Sequence, residues 1–438
     1  MRQPRVVVPL LHRHLDDAVF YWGQLEDPAA ADHLQASHAL DFAEFLDANL
    51  QGLRVAEEKG AQLGLDALKR WRKPGEAFAA LYCALSAHDA QDRIAGCDAV
   101  FDLVARAPDL LLRGAISALA WAETAQAEPV LAHALHGEPV RRVAALRAHA
   151  LRGLSVSNWS EQIQHENAFV RAAACRAVPK EALQALLVRR VDPDLVVRAE
   201  SVLAWARLVP SSERGADSAA QAAGVLWRCV VDQHQLWREA TGWHRVQAQR
   251  RLARWLRHLA WLAPLGHPGV RQLLAQLPSR LGLTFVLHHG DAEHLGFVLA
   301  ALNQPESARW ALWIWRCLTG VEPQAAGLTL PDPPVELDSP LTRSQLDADH
   351  GLPLPDVAAV MAHPASRLST LTGQRLLMGR PVHPHLLREL LDPASNQFQA
   401  LRFVAAHALE QLHPTYALNL RASAAVQALQ LSRMGIAA

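Results

Sequence analysis

Histidine is the residue type through which chemistry would most readily enter this sequence. It occurs 22 times in 438 residues, and imidazole serves both as a metal ligand and as an acid–base group near neutral pH. The densest groupings are His12 with His14, His288 and His289 with His294, and His383 with His385. None has H-E-x-x-H spacing or accompanying Cys ligands. The run His288-His289-Gly290-Asp291, with Glu293 and His294, comes nearest to a ligand set. His383 and His385 flank Pro384 and read as a turn. The expectation at all three groupings is solvated or capping histidine, with no metal. Asp16-Asp17 and Glu57-Glu58 are paired carboxylates, but adjacent residues on a helix do not face one another. Asp347 and Asp349 lie in a Pro-rich stretch, without partners. No phosphate-binding loop, dinucleotide fingerprint or G-x-S-x-G elbow occurs. The expectation is no cofactor, no catalytic residue and no enzymatic activity.

Aromatic and basic residues together offer binding rather than catalysis. Residues 222 to 262 read as two helices carrying Trp227, Trp237, Trp243, Trp255 and Trp261. Arg250, Arg254 and Arg257 share one helical face there. Trp237, Trp243, Arg250, Arg254 and Arg257 form the candidate partner-binding face, suited to phosphate or an acidic partner. The alternative is a solvated face paired with acidic residues of a neighbouring repeat. Most of the 13 Trp are expected in the core between helix layers.

Composition narrows the function classes. Lys+Arg and Asp+Glu are both 43, so no global field draws the chain to nucleic acid or an anionic membrane. No apolar run reaches the length of a membrane span. The segment MRQPRVVVPLLHRHLDDAV lacks a signal-peptide apolar region. The five Cys form no C-x-x-C pair and sit in apolar helical settings, which predicts buried, reduced thiols and a cytoplasmic protein.

The elements that must position these residues are set by a recurring phrase. A turn residue, an apolar residue and Arg precede an Ala-rich helix at Leu112-Arg113, Val140-Arg141, Val170-Arg171 and Val197-Arg198. Such a period of about 30 residues predicts stacked helix pairs. Asp, Asn or Pro in each turn starts the helix, and the small Ala residues admit a close neighbour. Further copies carry Arg309 and Arg402. Arg113, Arg141, Arg171, Arg198, Arg309 and Arg402 are read as a structural ladder reaching toward acidic turns. The expected fold is all-α: an α-solenoid of stacked antiparallel helix pairs with helical caps. The expected segments are an N-terminal helical cap (1–75), a repeat solenoid (76–321), a Pro-rich loop or linker (322–356) and C-terminal helical repeats with a cap (357–438). Arg375 to Pro381 is expected to be a helix end and turn.

The phrase "turn Asp/Pro, apolar-Arg, Ala-rich helix" resembles the HEAT-like repeat family, including the short-period variant first associated with bilin lyases. In the C-terminal half, SARWALWIWRCLTGVE, GQRLLMGRPVHPHLLRELL and LRFVAAHALEQLHP are similar to an uncharacterised bacterial HEAT-repeat family encoded beside type VI secretion genes. That resemblance implies a non-enzymatic scaffold, adaptor or chaperone whose protein partner is a secretion effector or spike component. A second implied class is the HEAT-like alkylpurine DNA glycosylases, with Asp194 or Asp291 near Trp205 or Trp310 in their Asp and Trp roles. Neutral net charge and scarce Lys weigh against nucleic acid. A third is a bilin-lyase-like ligand carrier.

Overall fold

The computed structural model describes residues 7–332, 349, 351–370 and 373–436. The described residues are mostly helical, with two short antiparallel ladders among them. It divides into two compact units. One comprises Met1–Pro28, Ala36–Leu208 and Tyr416–Ala438; the other comprises Ala29–Gln35 and Val209–Thr415.

The first unit opens with α1 (Val8–Leu25), α2 (Ala36–Val55) and α3 (Glu58–Trp71). Helix pairs follow: α4 (Pro74–Leu85), α5 (Ala90–Ala105), α6 (Pro108–Trp121), α7 (Thr124–Ala134), α8 (Pro139–Arg152), α9 (Trp159–Gln162), α10 (Ala168–Arg176), α11 (Leu183–Arg189) and α12 (Leu195–Leu208). Helices α4, α6, α8, α10 and α12 pack each on the next, and the odd-numbered helices pack behind them. The local reasons are those legible in the residues. Pro74, Pro108 and Pro139 occupy first-turn positions, where a missing N–H costs nothing. Asp89, Asn167 and Asp194 accept backbone N–H groups at helix starts. Every residue from Gly75 to Leu85 is buried, as a helix enclosed on all sides requires. Gly114 lets α6 lie directly on α4, since a Cβ there would overlap the Pro74 carbonyl oxygen. Trp22 donates from Nε1 to Ser117 Oγ at 2.9 Å and stacks on Phe78, which seats α1 on the layer.

The second unit begins with two long helices, α13 (Ala216–Glu239) and α14 (Gly242–Leu262), packed together and joined by two residues. Then come α15 (Gly269–Gln276), α16 (Ser279–His289), α17 (Leu295–Ala301) and α18 (Ala308–Thr319). Strand β1 (Thr329–Leu330) pairs with β2 (Leu354–Pro355) across the Pro-rich stretch, whose residues 333–348 lie outside the described ones. Asp347 is among these. Asp349 has a partner after all: it is buried and paired with Arg280 at 2.6 Å. The pairing spans 69 residues, so nothing local announces it. Helix α19 (Val357–Ala362) follows.

Residues 375–381 depart from the expected helix end. Strand β3 (Leu376–Leu377) pairs with β4 (Arg380–Pro381), and both turn residues, Met378 and Gly379, have positive φ, the requirement of a tight hairpin. The tip donates from Met378 N to Cys317 O (2.6 Å) and from Gly379 N to Leu318 O (2.9 Å). These are carbonyls at the C-terminal end of α18, which its own backbone leaves unsatisfied. Helices α20 (Pro384–Leu391) and α21 (Gln399–Leu412) complete the unit, and α22 (Ala424–Arg433) belongs to the first. Among the described residues, no helix is long and apolar enough to cross a membrane.

Candidate functional site: the tip of α13 and α14

Gly242, at φ +53°, opens α14 immediately after the α13 end. The two helices therefore project their ends together, and their outer turns lie beyond the packed part of the unit. Leu236, Trp243 and Val246 are exposed there, as are Arg238, Arg245 and Arg250. His234 stacks on Trp237 with centroids 5.6 Å apart, and the Arg245 guanidinium lies 4.6 Å from the Trp237 ring centroid. Arg250 lies over Trp243 at 5.7 Å. Such cation–π contacts fix long side chains that would otherwise sample many rotamers.

An open cleft of about 450 Å³ lies beside these rings. It is lined by His234, Trp237, Arg238 and Arg245 on one side and by Gln276, Leu277 and Pro278 on the other. Among the described residues no acidic side chain lines it. The Trp237 Nε1 is buried and has no hydrogen-bond partner among the described residues. Burial, with Arg238 beside it, holds His234 below the usual imidazole value, so that ring is neutral at neutral pH. The cleft thus brings an indole ring and two arginine side chains opposite Leu277 and Pro278.

The five residues of the expected face divide. Trp237, Trp243 and Arg250 lie at the tip. Arg254 and Arg257 are half-buried, and Arg257 lies 5.1 Å from the Phe403 ring of α21. Helical spacing on α14 placed the three Arg on one stripe but not the helix that covers its lower end. His234, Arg238, Gln276, Leu277 and Pro278 escaped the sequence reading. His234 lies about one helical turn before Trp237 and Arg238 directly follows it, a signal that was available; the α15–α16 junction was not.

The ladder arginines reach several kinds of partner. Arg141 pairs with Asp98 and Asp102 of α5, and Arg171 with Asp192 in a two-bonded pair. Arg113 pairs with Glu26, and Arg309 with Asp332. Arg198 bonds the Asp192 and Pro193 carbonyls. Arg402 is fully buried and bonds Gln399 and the Leu391 carbonyl. Trp22, Trp159, Trp205, Trp255, Trp261, Trp310, Trp313 and Trp315 are buried. All five Cys are buried and free, and burial pushes the Cys83 and Cys317 thiols up to about 12.

The histidine groupings also separate. His14 Nδ1 bonds Asn49 at 2.8 Å, while His383 caps α20 through the Leu386 N–H. His289, Asp291 and His294 converge in the interior. Asp194 is occupied as an N-cap. Trp205 carries the Arg190 guanidinium, and Trp310 stacks on Trp313 at 4.6 Å. Comparison of the chain with protein-family models, curated proteins and solved structures finds no significant match.

Proposed function

We propose that this chain is a non-enzymatic helical scaffold that binds a protein partner at the α13–α14 tip. The occupant of the cleft is an acidic segment carrying an apolar residue. The observation that carries this reading is the cleft in which Arg238 and Arg245 stand beside the Trp237 ring, with no acidic side chain among its described lining residues. A ligand carboxylate would meet these guanidinium groups through charge-assisted hydrogen bonds. Leu236, Trp243 and Val246 beside it extend the contact with apolar area. The C-terminal resemblance supports a partner connected with type VI secretion, an effector or a spike component, and a cytoplasmic setting.

The DNA-binding reading is weaker. Asp291 is buried, out of reach of a duplex base, and the balanced charge of the chain supplies no field for DNA. Affinity capture from native cells with tagged wild type, with Trp237→Ala and with Arg238→Glu/Arg245→Glu tests the proposal. A protein retained by the wild type and lost from both variants supports it. Equal retention by all three chains, or recovery of duplex DNA with steep salt dependence, overturns it.

A further inference from the structure

The turn after α16 gathers three metal-ligating side chains in the protein interior. Gly290 takes φ +68°, which reverses the chain and brings His289, Asp291 and His294 to one point. One ligand atom from each lies within 4.8 Å of the others. His289 is fully buried and His294 nearly so. The Nε2 atoms of both are buried and have no hydrogen-bond partner among the described residues. Two orphaned imidazole nitrogens in one interior cluster would each cost stability if left unmet.

The surrounding bonds prepare these nitrogens as ligands. His289 Nδ1 lies 2.8 Å from the Ala260 carbonyl, so Nδ1–H donates there and Nε2 keeps its lone pair. Arg375 also comes within 3.1 Å of that Nδ1, but its NH1 reaches the His289 carbonyl at 2.6 Å and the Ala260 carbonyl at 2.9 Å. Those carbonyls satisfy the guanidinium, and the Nδ1–H tautomer stands. An N–H-to-carbonyl bond behind a ligating ring is the usual second-sphere support of a metal site. Asp291 is held by Gly266 N–H on one oxygen and Glu293 N–H on the other, both at 3.0 Å. Each oxygen retains a further lone pair, and Oδ2 lies 3.9 Å from His289 Nε2. The ligand set therefore comes already oriented by α14, by the turn at Gly266 and by the hairpin residue Arg375.

We propose that His289, Asp291 and His294 bind one divalent transition-metal ion, through two imidazole nitrogens and one carboxylate oxygen. Two nitrogens and a single oxygen favour zinc or cobalt over magnesium or calcium, which require mostly oxygen. A fourth position remains for water. Arg375 adds a positive charge close by, and only one ligand is anionic, so the affinity is moderate. The ion ties the end of α16 to the start of α17.

Cobalt(II) is the probe. Chelator-stripped full-length protein is titrated with it and followed by visible absorption, elemental analysis and thermal unfolding. The expected result is one equivalent per chain with ligand-field bands of a low-symmetry site. A Tm rise of roughly 5 °C is expected at a hundredfold excess over Kd. His294→Ala, checked for wild-type helicity, loses binding by at least roughly tenfold, while His383→Ala/His385→Ala keeps it. Wild type that takes up no cobalt or zinc overturns the proposal, whether or not the variant folds. So does a folded His294→Ala chain that binds like wild type.

Discussion

His407 Nδ1 lies 3.2 Å from His288 Nδ1, and both rings are buried. The other nitrogen of His407 lies 3.3 Å from His258 Nδ1. Three imidazoles thus form a chain that joins α14, α16 and α21. Arg214, Arg254 and Arg257 bear on it electrostatically. Burial first, and these arginines second, pull His407 down to about 3; burial first, and His407 second, hold His258 and His288 well below the usual value. The unfolded chain therefore takes up protons before the folded one. Stability is full above the ordinary imidazole value of 6.5 and falls as the pH drops from there toward about 3. Denaturant midpoints measured with chelator present should decline steeply below about pH 6 in wild type. His407→Leu should flatten that decline. A wild-type midpoint that does not move between about pH 7 and pH 4 would contradict this.

Gly114 should tolerate no side chain. An added Cβ meets the backbone of Pro74 and Phe78 rather than a movable side chain. Gly114→Ala must separate α6 from α4, and a loss of about 2 kcal/mol is expected from overpacking. Urea unfolding measures it. Gly224→Ala, at a helical position with open space around the new Cβ, should be neutral or slightly stabilising.

Arg176 and Glu200 form a two-bonded pair between α10 and α12, at 2.9 and 2.7 Å, with the Glu200 side chain 1% exposed. Arg176→Met removes both of these bonds from a buried carboxylate and should cost about 3 kcal/mol. Adding Glu200→Leu should restore much of that loss, because the buried charge goes with it. Equal costs for the single and double variants would show that the pair itself, rather than the buried charge, governs the effect.

Arg375 donates to the carbonyls of Ala260, His289, Trp261 and Ala263 and lies 4.7 Å from the Trp261 ring centroid. Its planar fork reaches the C-terminal ends of α14 and α16 together. Lysine carries the charge but not the fork. Arg375→Lys should therefore destabilise by about 2 kcal/mol, visible as a lower Tm with unchanged helicity before melting.

Much of the architecture was legible because its causes are local. Pro108, Pro139, Asn167 and Asp194 start helices where their side chains or fixed φ act on the next three residues. The Ala-rich phrases became the buried layer for the same reason. The hairpin at Leu376–Pro381 was not legible, since its turn is stabilised by α18 carbonyls some sixty residues earlier. Nor was the Arg280–Asp349 pair. At the candidate site, the Trp and Arg of α13 and α14 could be found by type and spacing. Gln276 to Pro278, which close the cleft, could not, because a turn of ordinary composition became a wall only through tertiary packing. The cluster at His289 was visible as a run of ligand types. What orients it, the Ala260 carbonyl and the Gly266 N–H, was not.

Site-specific photocrosslinking at Val246, next in sequence to the cleft-lining Arg245, tests the central claim most directly. With a photoreactive residue at that exposed position, irradiation of native cells should yield one discrete protein adduct. Arg238→Glu/Arg245→Glu in the same chain should abolish it, and a probe at Phe169, exposed in the other unit, should not reproduce it. An adduct that survives the charge reversal, an adduct to nucleic acid, or no adduct at all would contradict a protein-binding tip.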